Sequence, residues 1–182
     1  MSHIINAYHG SCNKFETFDF TEVGLHSGTS GAGFGLYFTE SKAEALAYGD
    51  IVYSVILKLK SAISNDEVTL KPVEVKKLVE YNLEVYGKSY YEQFGYENAT
   101  EEQKNDVIEK LVANFSSDTK IICDLIDDGI SVNQMMQTMC NFNYTHTTDK
   151  ESADIDNIMH YIVYDLNVIQ LLECKSLQEI GG

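Results

Sequence analysis

Tyr8-His9-Gly10-Ser11 is followed by Gly33-Phe34-Gly35-Leu36-Tyr37-Phe38-Thr39 and then by Ala45-Leu46-Ala47-Tyr48, which sets a second tyrosine eleven residues beyond Tyr37. The first string closes a short apolar, β-capable run from Ile4 to His9. A glycine at that point lets main-chain N–H and C=O groups come close to a ligand. Tyr37 and Tyr48 offer aromatic faces, and a ring stacked on another π system gains roughly 0.5–1.5 kcal/mol beyond its burial. A pyridinium cation gains further from an electron-rich face. Each string is common by itself. In this order they suit a flat, carboxamide-bearing ring, the description of the nicotinamide of NAD⁺.

Working outward, Gly24 to Gly35 holds five glycines with serine and threonine and reads as a loop between the motif halves. Ser41 can cap a helix over about Lys42 to Tyr48, with Gly49-Asp50 ending it and Tyr48 on its last turn. Ile51, Tyr53, Val55, Leu57 and Leu59 alternate with Ser54, Lys58 and Lys60, the period of a strand with one partly wet face. Tyr161 to Tyr164 is a second strand, and Val168 to Leu172 continues the sheet.

Between them the apolar period becomes helical: Val75, Leu78, Val79 and Leu83; Val107, Ile108, Leu111, Val112 and Phe115; Met135, Met136, Met139 and Cys140. Thr100-Glu101-Glu102-Gln103 and Ser131-Val132-Asn133-Gln134 both fit the capping box. The methionine stripe reads as core packing ahead of a binding groove, and the cluster Tyr86, Tyr90, Tyr91, Phe94 and Tyr96 as core ahead of a partner-facing surface. The reading is one α+β domain over residues 1–182, with a helical insertion at about 70–141 between strands of one sheet.

With 182 residues, 44% of them apolar, the chain suffices for one domain with its own core. Thirteen basic against 28 acidic side chains leave a formal charge of −15. That field repels phosphate backbones and attracts basic proteins at low salt, which disfavours direct nucleic-acid binding and leaves a basic protein partner open. Cys12, Cys123, Cys140 and Cys174 lack C-x-x-C spacing, so four free, mostly buried thiols and no metal are expected. The first residues lack a charged n-region and a long apolar h-region. No run approaches the ~20 apolar residues of a membrane span, so a cytoplasmic protein without membrane contact is expected.

The motif resembles that of ADP-ribosyltransferases of the diphtheria-toxin and poly-ADP-ribose-polymerase type, the H-Y-E class. His9-Gly10-Ser11 matches the family's His-Gly-Ser/Thr, Gly35-Leu36-Tyr37-Phe38 its Gly-x-Tyr-Phe, and Ala45 to Tyr48 its Ala-x-x-Tyr. His160-Tyr161-Ile162-Val163-Tyr164-Asp165 resembles its last catalytic strand, where a glutamate usually stands first. Phe15, Phe18-Asp19 and the Gly-rich loop look closest to small transferase domains of phages and mobile elements, over about fifty residues. The helical middle matches nothing in the family.

The resemblance implies a split, mixed β-sheet and NAD⁺ as co-substrate, cleaved at the nicotinamide–ribose bond. It implies that His9 hydrogen-bonds a ribose hydroxyl and that Gly10 and Ser11 hold the carboxamide. Tyr37 and Tyr48 would sandwich the nicotinamide, with Phe38 beside them. A protein target is implied, for a phage protein a host defence protein, modified by mono-ADP-ribosylation in the host cytoplasm.

The departure falls at His160, in the place of the family's catalytic glutamate. Nicotinamide leaves neutral, so no general acid is needed, but the oxocarbenium-like ribose is stabilised by a carboxylate. A neutral imidazole, titrating near ~6.5, can accept a ribose 2′-OH hydrogen bond or act as a base. Three accounts are open. Another carboxylate serves, with Glu40, Asp154, Asp156 and Glu173 as candidates; or the target brings its own nucleophile; or the site only binds NAD⁺, ADP-ribose or a protein. The corresponding alternatives to a transferase are a non-catalytic module inhibiting a basic partner and an NAD⁺ glycohydrolase.

Overall fold

Alternating apolar residues build the centre of the molecule. The computed structural model describes residues 3–21, 23, 35–64, 69–93, 95–96, 98–114, 121, 130–150 and 158–180. β1 (His3–Ser11) pairs along its whole length with β3 (Ile51–Leu59), from His3 opposite Leu59 to Ser11 opposite Ile51. β2 (Leu36–Thr39) pairs with β6 (Met159–Val163) from Leu36 opposite Val163 to Thr39 opposite His160. β4 (Ala62–Ser64) runs parallel to β5 (His146–Lys150), and β7 (Ile169–Ser176) pairs antiparallel with β3. The seven strands form one mixed sheet in the order β4-β5-β6-β2-β1-β3-β7.

Side chains alternate across a strand, so the register sorts the sheet into two faces. Ala7, Phe38, Tyr53, Val55, Leu57, Tyr161 and Val163 share one face and one core, with Val168 closing it. The loop after β1 folds over this face. Its Phe15 ring stacks on Tyr53 at 4.1 Å between centroids, and the Tyr53 hydroxyl accepts the Phe15 N–H at 2.6 Å. Burial pushes the Tyr53 phenol up to about 12.

The opposite face carries Ile63 and Ile162, and it packs on helices that fall between β4 and β5: α2 (Pro72–Gln93), α3 (Glu101–Asn114) and α4 (Val132–Asn141). Leu78, Val79, Ile108, Met135 and Met139 are all buried there. Pro72 starts α2, where a missing N–H costs nothing. The Thr100 box closes reciprocally: the hydroxyl accepts from Gln103 N at 3.3 Å, and Gln103 Oε1 accepts from Thr100 N at 2.9 Å. At Ser131 the hydroxyl accepts from Gln134 N at 3.3 Å and itself donates to Gln134 Oε1 at 2.9 Å. Of the aromatic cluster, Tyr91 packs against this core and Tyr96 is half-buried, while Phe94 and the side chains of Tyr86 and Tyr90 lie outside the described residues.

The segment capped by Ser41 spans Lys42 to Tyr48 as its sequence suggests, but only its first part is α-helical. α1 (Lys42–Ala45) tightens into a 3₁₀ turn, Leu46–Tyr48, before Gly49. The tightening brings the end of the helix down onto β1. A last short helix, α5 (Leu177–Ile180), follows β7. Among the described residues, no helix is long and apolar enough to cross a membrane.

Candidate active site

Among the described residues β1 and β2 share one ladder pair, Tyr8 opposite Thr39. Beyond it, Gly10 and Ser11 pair with Val52 and Ile51 of β3 and have no strand partner on the β2 side among the described residues. The α1 turn presses into this parting. A Cβ on Gly10 would lie 1.7 Å from the Ala45 carbonyl oxygen and 3.2 Å from Tyr48 Cβ, and one on Gly49 would lie 2.1 Å from the Ser11 carbonyl carbon. Only glycine permits that approach at Gly10. Tyr48 is thereby held against the β1 backbone with 54% of its surface exposed, and Cys12 Sγ donates to its carbonyl at 3.7 Å.

Tyr8, Gly10, Tyr37, Thr39 and His160 share one face by register. Tyr37 is half-buried against the helix-side core. His160 is 6% exposed. Its Nε2 is hydrogen-bonded to Glu44 Oε1, delivered from α1. The other carboxylate oxygen, Oε2, accepts from Thr39 Oγ1 at 2.5 Å. Ser41 explains why Glu44 points there. Its hydroxyl takes the Glu44 N–H at 3.2 Å, but its own N–H goes to Thr39 Oγ1 at 3.1 Å, so the Glu44 side chain is not drawn back to close a capping box.

His9 lies on the other face. Its ring sits among Phe15, Phe18, Phe38 and Tyr53 at centroid distances of 5.9, 5.4, 5.5 and 6.1 Å. Nδ1 is 2.8 Å from the Tyr37 carbonyl oxygen. A carbonyl only accepts, so Nδ1 carries the proton and Nε2 of the neutral ring is an acceptor. Burial lowers the His9 pKa, and the Tyr37 carbonyl offsets part of that. The pair also ties β1 to β2 beyond their single ladder contact.

Each expected site residue can now be placed. Gly10, Tyr37, Tyr48 and His160 gather on one face, whereas His9 enters from the other. Phe38 is 1% exposed and forms part of the wall around His9, so it reaches a ligand only through that ring. Ser11 Oγ is engaged with the Asn13 backbone, donating to O at 2.9 Å and accepting from N at 3.1 Å. The carboxylate beside His160 is Glu44, which was not among the four expected candidates.

Of those four, Glu40 accepts from the Tyr161 hydroxyl at 2.5 Å, and burial followed by this bond raises the Tyr161 pKa. Glu173 lies on edge strand β7, paired with Lys175 at 2.8 Å, with β2, β1 and β3 between it and β6. Asp154 and Asp156 lie outside the described residues, as does all but Gly35 of the Gly-rich loop. Of the four cysteines expected to be mostly buried, Cys12 is exposed, Cys140 and Cys174 are half-buried at the flanks of the two cores, and Cys123 lies outside the described residues.

Neither a protein-family model nor a curated protein matches the chain. A crystal structure of an anti-CRISPR protein is similar at a TM-score of 0.40 and 15% identity, covering 93% of this chain and 96% of that one. A likeness of that degree assigns neither fold nor function.

Proposed function

We propose that the protein is an NAD⁺-dependent mono-ADP-ribosyltransferase acting on a protein target. One observation carries the reading: β2 parts from β1 at Gly10, beneath the turn that bears Tyr48 and on the face where a carboxylate meets His160. The strand order, with its weak β1–β2 junction, is compatible with the split sheet expected of the H-Y-E class.

In this reading the unladdered backbone edge of Gly10 and Ser11 holds the carboxamide, and Tyr37 and Tyr48 flank the ring. His9, its proton fixed on Nδ1 by the Tyr37 carbonyl, offers Nε2 to a ribose hydroxyl. The C1′–N bond breaks with its electron pair leaving on nicotinamide, and the acceptor's nucleophile bonds to C1′ and gives up its proton. The likeness of the N-terminal fifty residues to phage transferase domains supports a host protein, including a defence protein, as target. The formal charge of −15 favours a basic one.

The test is incubation of the full chain with biotinylated NAD⁺ and bacterial lysate, scoring labelled proteins and free nicotinamide together. Labelled protein supports the transferase. Nicotinamide without label selects the glycohydrolase. Absence of both, where a control transferase labels, rejects NAD⁺ chemistry and leaves the non-catalytic inhibitor of a basic partner.

A further inference from the structure

We infer that Glu44 supplies the catalytic carboxylate and that His160 is its positioning residue. This rests on the transferase reading and specifies how the site works without a glutamate on β6.

Three side chains meet at one point over the β2–β6 pair. Thr39 and His160 are cross-strand partners, and the Glu44 carboxylate reaches down from α1 to both. The Glu44 and His160 side chains are 14% and 8% exposed, so the pair is largely withdrawn from solvent. Charges in such a place act with less screening than surface charges do. A carboxylate has about four lone-pair sites, and the described residues Thr39 and His160 take two of them.

The same helix turn that positions Glu44 also carries Tyr48, four residues on, and Ala45, whose carbonyl rests on Gly10. The carboxylate, the exposed ring and the contact on Gly10 are thus set by one turn of chain. Glu40 and Glu173 are bound elsewhere, as described above.

The chemistry follows from the charge that develops. When the C1′–N bond of NAD⁺ breaks, the pair of electrons departs with neutral nicotinamide and the ribose becomes cationic. With water as acceptor, its oxygen bonds to C1′ and its proton passes to solvent, giving ADP-ribose, nicotinamide and one proton. Glu44 stabilises the cationic stage. Removing one group aimed at transition-state charge lowers kcat by about 10²–10³-fold. His160, whose Nε2 holds Oε1, sets where that charge lies.

The experiment measures nicotinamide release from NAD⁺ by the full chain. Glu44→Gln keeps the shape and removes the charge; it is expected to lower kcat by about 10²-fold with KM for NAD⁺ nearly unchanged. The Glu44→Ala variant is expected to regain activity when His160→Glu is added, because the strand then brings a carboxylate to the same point. A Glu44→Gln enzyme with wild-type kcat overturns the inference while leaving the transferase reading intact. So does failure of the double variant to recover when its thermal melt matches wild type. Wild type that releases no nicotinamide overturns the transferase reading itself, and this inference with it.

Discussion

Two histidines on opposite faces of the central sheet are held in different ways. His9 is half-buried among four aromatic rings and donates to a backbone carbonyl; His160 faces a carboxylate and a hydroxyl. Burial among rings penalises an imidazolium. On the His9 face, then, the fold fixes a tautomer, and on the His160 face it fixes where a carboxylate lies. Substitutions on the first face should register in stability as well as function, and those on the second mainly in chemistry.

The largest expected effect comes from acid. His146 is paired with Val163, which puts it on the His9 face, and it is 5% exposed. Burial, and secondarily the charge of His3, lowers its pKa to about 4. The unfolded chain takes up this proton near ~6.5, before the folded one, so folded-state stability is full above that pH and falls as pH drops towards about 4. The loss from His146 alone is about 2 kcal/mol by pH 5, and His9 adds to it in the same direction. Thermal melts at pH 7.5, 6 and 5 check this. His146→Gln should flatten the profile, and a wild-type melt independent of pH would break the contrast between the faces.

Next comes His9→Phe, which preserves a ring in the aromatic nest but removes the hydrogen bond to the Tyr37 carbonyl. Losing that bond costs about 0.5–1.5 kcal/mol, read as a lower urea midpoint. His160→Gln retains a donor for Glu44 and should move the midpoint by less. Equal shifts would show that the two histidines are structurally equivalent.

The same contrast marks what the sequence made legible. β3 announces itself through alternation and β1 as a short apolar, β-capable run, and Thr100, Ser131 and Ser41 mark helix starts because caps are local chemistry. The N-terminal motif residues His9, Ser11, Tyr37, Phe38 and Tyr48 are local too, each within a few positions of a glycine. Glu44 was not legible. Ser41-Lys42-Ala43-Glu44 has the spacing of a capping box, which accounts for a glutamate there without any site. Its true partner lies 116 positions away, brought near only by the pairing of Thr39 with His160. The aromatic setting of His9 was hidden for the same reason: Phe15 and Phe18 are close in sequence, but Phe38 and Tyr53 reach it through strand register.

The smallest effect sharpens the comparison within the His160 face. Tyr48 is 54% exposed, and its Cβ, which alanine retains, is the atom near Gly10. Tyr48→Ala should therefore leave the melting temperature almost unchanged, since substitutions at exposed positions usually fall within about 0.5 kcal/mol. If the ring stacks on nicotinamide, its loss removes roughly 0.5–1.5 kcal/mol, which is about a 2- to 12-fold weaker Kd for NAD⁺. Calorimetric titration with NAD⁺ reads this directly, and Tyr48→Phe, which keeps the π face, should bind as wild type does. Tyr37→Ala must behave differently, because that ring is half-buried against the helix-side core and its removal lowers stability along with affinity. A Tyr48→Ala protein with undiminished affinity would place the ligand away from the turn, and with it would go the role of Gly10 as the edge that receives the carboxamide.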